Sequence, residues 1–159
     1  MKKARHSWGR YFNYFSEEHT IFWRQDNLPP TQKLLLPHGL GRSYGDSCLN
    51  DNGALVHTRL LDHAIAFDGS TGLLRCEAGV SLAQILDICV PLGWFLPVTP
   101  GTKFVTVGGA IANDVHGKNH YRDGTFGRHV IAFELLRSDG SRLLCSPEVN
   151  TGFYKATIG

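Results

Sequence analysis

Two glycine-rich segments hold the residue types and spacings best suited to chemistry. The first, Gly39-Leu40-Gly41-Arg42-Ser43-Tyr44-Gly45-Asp46, follows a short apolar run at residues 33–36 that Pro37 stops. It starts like a dinucleotide fingerprint, but Tyr44 occupies the third glycine position. The residues that follow, Ser47 to Gly53, are turn formers that cannot open an amphipathic helix. A Rossmann reading fails on both counts. A strand remains, followed by a loop whose glycines can turn successive backbone N–H groups toward one point, with Ser43, Tyr44 and Ser47 adding hydroxyls. That pattern suits either a pyrophosphate cradle or a tight polar turn between strands.

The second segment runs from Pro100-Gly101-Thr102 through Val105-Thr106-Val107-Gly108-Gly109-Ala110-Ile111-Ala112 to Asn113-Asp114-Val115-His116-Gly117-Lys118-Asn119-His120. Thr106 is a suitable cap for a helix over residues 108–112. The small residues of that helix let a ligand lie against its backbone, and its N-terminal end is expected to favour negative charge. His116, Lys118, Asn119 and His120 then crowd a density of donors beside the helix that a connecting loop does not need. His116 and His120 have i, i+4 spacing, but Gly117 interrupts any helix between them and no H-E-x-x-H pattern is present, which argues against a metal.

The elements that must position these segments read as α+β. Strands are expected at residues 54–57, 65–68 and 73–77, the last two joined as a hairpin through Asp68-Gly69-Ser70-Thr71-Gly72, in a sheet that is mixed or antiparallel. Ser81 with Gln84 forms a capping box, and Val80 with Ile85 a hydrophobic staple, opening a helix over residues 82–90. Leu82, Ile85, Leu86 and Cys89 share its core face. Residues 130–137 and 142–145 flank a second hairpin turn at Ser138-Asp139-Gly140-Ser141, and a last short helix is expected at residues 152–157. Residues 1–30, rich in aromatics, are expected to pack against the body as an approach segment, with the domain proper at 31–159.

Composition narrows the function further. With 42% hydrophobic and 19% charged residues in a 159-residue chain, one ordinary domain with a real core is expected rather than disorder. The 16 Lys and Arg against 14 Asp and Glu are scattered, so nucleic acid is not implied as a partner. No stretch approaches the roughly 20 apolar residues that cross a bilayer, and no export signal opens the chain, so a cytoplasmic protein is expected. Cys48, Cys76, Cys89 and Cys145 form no C-x-x-C pair and read as reduced structural thiols.

The quoted motifs, together with Phe126-Gly127, His129-Val130 and Trp8-Gly9-Arg10, resemble the FAD-binding domain of the vanillyl-alcohol-oxidase, or PCMH-type, FAD-linked oxidases, over nearly the whole chain. The resemblance implies two small α/β lobes with mixed sheets. It also implies FAD held by Gly39, Leu40, Gly41, Arg42, Ser43, Tyr44, Gly45, Gly101, Thr106, Val107, Gly108, Gly109, Asn113, Asp114, Val115 and His116. Many members attach FAD through a histidine in the first loop; Arg42 at the matching position implies non-covalent FAD. Asn113 stands where a sugar-oxidising member carries cysteine.

The resemblance further implies oxidation of a sugar hydroxyl, in a small or lipid-linked substrate, by hydride transfer to flavin N5. His116, Gly117 and Lys118 would line the ring or the sugar, with no catalytic base among these residues. An alditol or aldonolactone oxidase, or a flavin-binding module without chemistry of its own, is the alternative. In the family a later substrate domain closes over the flavin. Such a domain, or a partner subunit, is expected beyond Gly159, and without it the chain is expected to be inactive and to expose apolar surface.

Overall fold

The computed structural model describes residues 3–11 and 13–159. Its first sheet has four strands in the order β1-β2-β4-β3: β1 (Lys3–Arg5), β2 (Tyr14–Thr20), β3 (Leu35–His38) and β4 (Ala54–His57). β1 runs antiparallel to β2, while β2 and β3 both pair in parallel with β4, so the sheet is mixed. In β4, Ala54, Leu55 and Val56 are all buried, as the pairing on both sides requires. β3 begins two residues later than the apolar run suggests and carries Pro37 inside it. Proline is tolerated there because β3 is an edge strand.

The N-terminal segment contributes to the sheet. Its residues 3–5 and 14–20 are strands of this sheet. Trp8, Tyr11, Phe22 and Trp23 keep much of their surface exposed, while the Trp23 ring stacks on His63 at 6.1 Å. The polar face of β2 hid the strand: Glu17, Glu18 and His19 break any apolar alternation.

Two antiparallel hairpins follow the expected turns. β5 (Ala64–Asp68) pairs with β6 (Leu73–Cys76), and β7 (Phe133–Leu136) with β8 (Arg142–Cys145). In the first turn Asp68 accepts from Ser70 N at 2.8 Å, Ser70 Oγ at 2.6 Å and Thr71 Oγ1 at 2.8 Å. These bonds hold its carboxyl down at about 2.

Helix α1 (Leu82–Cys89) starts at the Ser81–Gln84 capping box and buries Leu82, Ile85 and Cys89. These join Val80, Val98, Ala110 and Phe126 in the main core. Burial in that core pushes the neighbouring Cys76 thiol up to about 11, so it is an inert thiol. Helices α2 (Val107–Ala112), α3 (His120–Asp123) and α4 (Thr151–Thr157) complete the chain, with short 3₁₀ turns at Val90–Leu92 and Phe126–His129. Among the described residues no helix is long and apolar enough to cross a membrane.

Candidate cofactor site

The first glycine-rich loop leaves the sheet at His38 and meets the second segment at once. A Cβ on Gly39 would stand 2.6 Å from Thr106 Oγ1, a contact no other residue could make without displacing Thr106. Gly41 and Gly45 adopt φ of +64° and +63°, the left-handed region that a side chain disfavours. Among the described residues, no backbone N–H from Gly39 to Asp46 donates a hydrogen bond; residues 45–48 then form a turn, closed by Leu49 N donating to Asp46 O at 2.8 Å. A tight turn would close on its own amides, whereas this loop holds a run of them open. Open amides of that kind are what an anion cradle requires.

The side chains of the loop are turned aside. Arg42 donates to Leu40 O at 2.6 Å and lies 5.5 Å from the Trp8 ring centroid. Tyr44 is 86% exposed, and Ser43 is half-buried. The far end is pinned by Tyr14 Oη donating to Asp46 at 2.6 Å, which pushes the Tyr14 hydroxyl pKa up, and by Ser16 Oγ donating to Asn50 O at 2.5 Å.

Thr106 caps α2 as expected, accepting from Gly109 N at 3.2 Å. The expected anion-binding helix end is not available, however. Val107 N donates to Val80 O and Gly108 N to Ala78 O, both at 2.8 Å. Reciprocally, Leu82 N donates to Val105 O and Ala83 N to Lys103 O, both at 3.0 Å. The two helix starts therefore satisfy each other's orphan donors, and Ser81 bridges Thr106 across them. Gly108 is needed for this approach, because its Cβ would stand 3.2 Å from Ala78 O. What the turn still offers a ligand is close access to its backbone, without free N–H groups.

Beyond α2 the predicted residues divide. Asn113 Nδ2 returns to Gly109 O at 2.8 Å. Asp114, at φ +38°, accepts from Gly127 N at 2.7 Å and so ties down the turn at Phe126. Val115 O accepts from Phe126 N, and His116 bridges Thr125. Gly117 is buried, its missing Cβ only 2.7 Å from Thr99 O. Asn119 Nδ2 reaches Pro97 O at 2.9 Å. These contacts lay the stretch 117–119 along 97–99.

His116 and Lys118 are exposed; the His116 ring meets His120 edge-on at 5.4 Å, and Lys118 makes no ion pair among the described residues. No group of three metal-ligating side chains exists among the described residues. Gly101 also borders a mainly apolar cleft of about 270 Å³ between α1 and residues 99–103.

His38 escapes any reading of the sequence. It is 8% exposed, and its Nε2 lies 3.2 Å from where a Cβ on Gly41 would stand, directly under the loop. Its partner His57 becomes a neighbour only through the parallel register of β3 on β4.

Residues 30–146 match the family model described as an FAD binding domain. The chain is 43% identical over 126 residues to decaprenylphosphoryl-beta-D-ribose oxidase of Mycolicibacterium smegmatis, covering 79% of this chain and 27% of that protein. It is 29% identical over 113 residues to L-gulonolactone oxidase 5 of Arabidopsis thaliana, covering 70% of this chain and 18% of that protein. Among solved structures it superposes on 6-hydroxy-D-nicotine oxidase from Arthrobacter nicotinovorans with a TM-score of 0.71 at 19% identity, over 80% of this chain and 28% of that one. The chain thus spans about a quarter of these proteins or less.

Proposed function

The chain belongs to the FAD binding domain family, with FAD as its cofactor, and from that premise we propose that it holds the FAD of an oxidoreductase that oxidises a sugar hydroxyl. The observation that carries the reading is the run of open backbone amides at residues 39–46 beside the Gly39–Thr106 contact. A diphosphate fits such a cradle, because each amide can donate without first breaking an internal bond. Gly41 and Gly45 keep the amides turned inward. Gly101, Thr106, Val107, Gly108 and Gly109 bring backbone close to the cofactor, and Asn113, Asp114, Val115 and His116 continue that wall. With no histidine within residues 39–47 and Arg42 held on Leu40 O, the cofactor is bound non-covalently.

Bound FAD supplies a hydride acceptor. His116, Gly117 and Lys118 stand at the ring and sugar end of the site. The unpaired ammonium of Lys118 orients an anionic substrate, as an exposed cation does for a phosphate. We assign the substrate as a lipid-linked ribose phosphate of the decaprenylphosphoryl-ribose kind, supported by the 43% identity. An aldonolactone oxidase is the second reading, supported by the 29% identity to a gulonolactone oxidase.

The test of the cofactor site is a visible spectrum of the FAD-loaded protein followed by acid precipitation. Flavin in the supernatant is expected; flavin in the pellet would refute non-covalent binding. For the substrate, full-length protein is mixed anaerobically with decaprenylphosphoryl ribose, an alditol and an aldonolactone. Bleaching with the first alone is expected, and bleaching with the lactone alone would favour the second reading.

A further inference from the structure

Four side chains, one from each strand of the mixed sheet, form a row that ends under the cofactor loop. Arg5 on β1 donates from Nε and Nη2 to Glu18 on β2 at 2.6 and 3.0 Å. Glu18 Oε2 lies 3.4 Å from His57 Nε2 on β4. The rings of His57 and His38, on β4 and β3, meet edge to face at 5.2 Å. His38 then reaches Gly41 through Nε2, while its buried Nδ1 has no partner. An apolar side chain would fill the same place without leaving a buried nitrogen unsatisfied. The nitrogen that faces the loop is Nε2, so a group arriving at the loop would meet a ring able to carry a proton.

We propose that His38 is the proton-carrying group of the diphosphate cradle: when FAD binds, His38 takes a proton from solvent, and a cation then stands beneath the anion. The inference rests on the reading that residues 39–45 hold the diphosphate. In the free protein the imidazole is held below its ordinary value, first by burial, then by the charges of His57 and Arg5; the Gly39 backbone and Glu18 oppose this. His57 is likewise held down by burial, Arg5 and Arg59, against Glu18. The charges of the loop itself, Arg42 and Asp46, are committed to Leu40 O and Tyr14.

A bound dianion adds the missing attraction and raises the His38 value. His38 and His57 together take one proton, since two adjacent buried cations repel. The sign follows from linkage. Because the bound state holds the proton more tightly, FAD affinity rises as pH falls through the His38 value of the complex and levels off below that of the free protein. With imidazole near 6.5 in water, the window lies around and below that pH.

The test is calorimetric titration of full-length protein with FAD near pH 6, in two buffers of different ionisation enthalpy, repeated across pH. Wild type is expected to take up a fraction of a proton, with affinity rising by up to about tenfold per pH unit within the window. His38→Gln is expected to bind FAD with no uptake and a flat profile. Glu18→Gln, which removes a group that favours the proton, is expected to move the profile to lower pH, and it serves as the readout if His38→Gln does not fold. No uptake in wild type, unchanged uptake in His38→Gln, or an unmoved profile in Glu18→Gln would each overturn the proposal. Gly45→Ala separates the two layers. If it leaves affinity untouched, the cradle reading fails; if it weakens binding while His38→Gln keeps the wild-type profile, only the role of His38 fails.

Discussion

At residues 39–45 the glycines hold backbone donors open, whereas at Gly108 the missing side chain lets the chain close on Ala78 and consume them. The two segments look alike in sequence and meet at Gly39 and Thr106. The loop has left the sheet at its edge and finds no strand opposite it. The start of α2 lies beside the start of α1, and each completes the other. On the proposed reading, Gly41 and Gly45 serve the ligand, whereas Gly39 and Gly108 serve the close approach of backbone within the fold.

Substitutions at both segments can break this contrast. Gly39→Val has the largest expected effect, because its Cβ would overlap Thr106 Oγ1 and push the segments apart. Stability should fall by about 1–3 kcal/mol, as overpacking does, read by thermal melting. FAD affinity should fall by about 100-fold in a spectral titration, since each 1.4 kcal/mol is tenfold. Affinity that held despite the melting shift would mean the junction is only structural.

Gly45→Ala meets no atom within 4 Å, yet it imposes φ +63° on a side chain. It should cost about 1–2 kcal/mol, expressed mainly as weaker FAD binding. Gly108→Ala should behave in the opposite way. Its Cβ points at Ala78, so stability should fall by about 1 kcal/mol while FAD affinity stays within about twofold. If both variants shifted affinity alike, the division of labour would be wrong.

Thr106→Ala removes the α2 cap and should cost about 1 kcal/mol, with Thr106→Ser recovering most of it in the same melts. The smallest effect is expected from the sheet's charged row. The hydrogen bond from Arg5 holds Glu18 below its usual value of 4.5. Its stabilisation is present above that value and is lost as pH falls through the lowered one, and for a partly exposed pair it amounts to about 1 kcal/mol or less. Melting wild type and Glu18→Gln from pH 7 to pH 3 should show the two curves converging in acid.

The sequence by itself determined the features that neighbouring residues can encode. Ser81 and Gln84 announced α1, Thr106 announced α2, and Asp68 to Gly72 and Ser138 to Ser141 announced the hairpins, because caps and turns are written in side chains a few residues apart. The glycine clusters marked where backbone must come close. Long-range pairing decided the rest. Strand β2 exists because β4 offers it a parallel edge, against its own polar pattern. The α2 amides are spent because Ala78 and Val80 lie opposite them. His38 sits on His57 and under Gly41 only once β3 has its register and the loop its direction. Partners of that kind are chosen by burial and hydrogen-bond satisfaction across the folded chain, and no local window of sequence contains both sides of the choice.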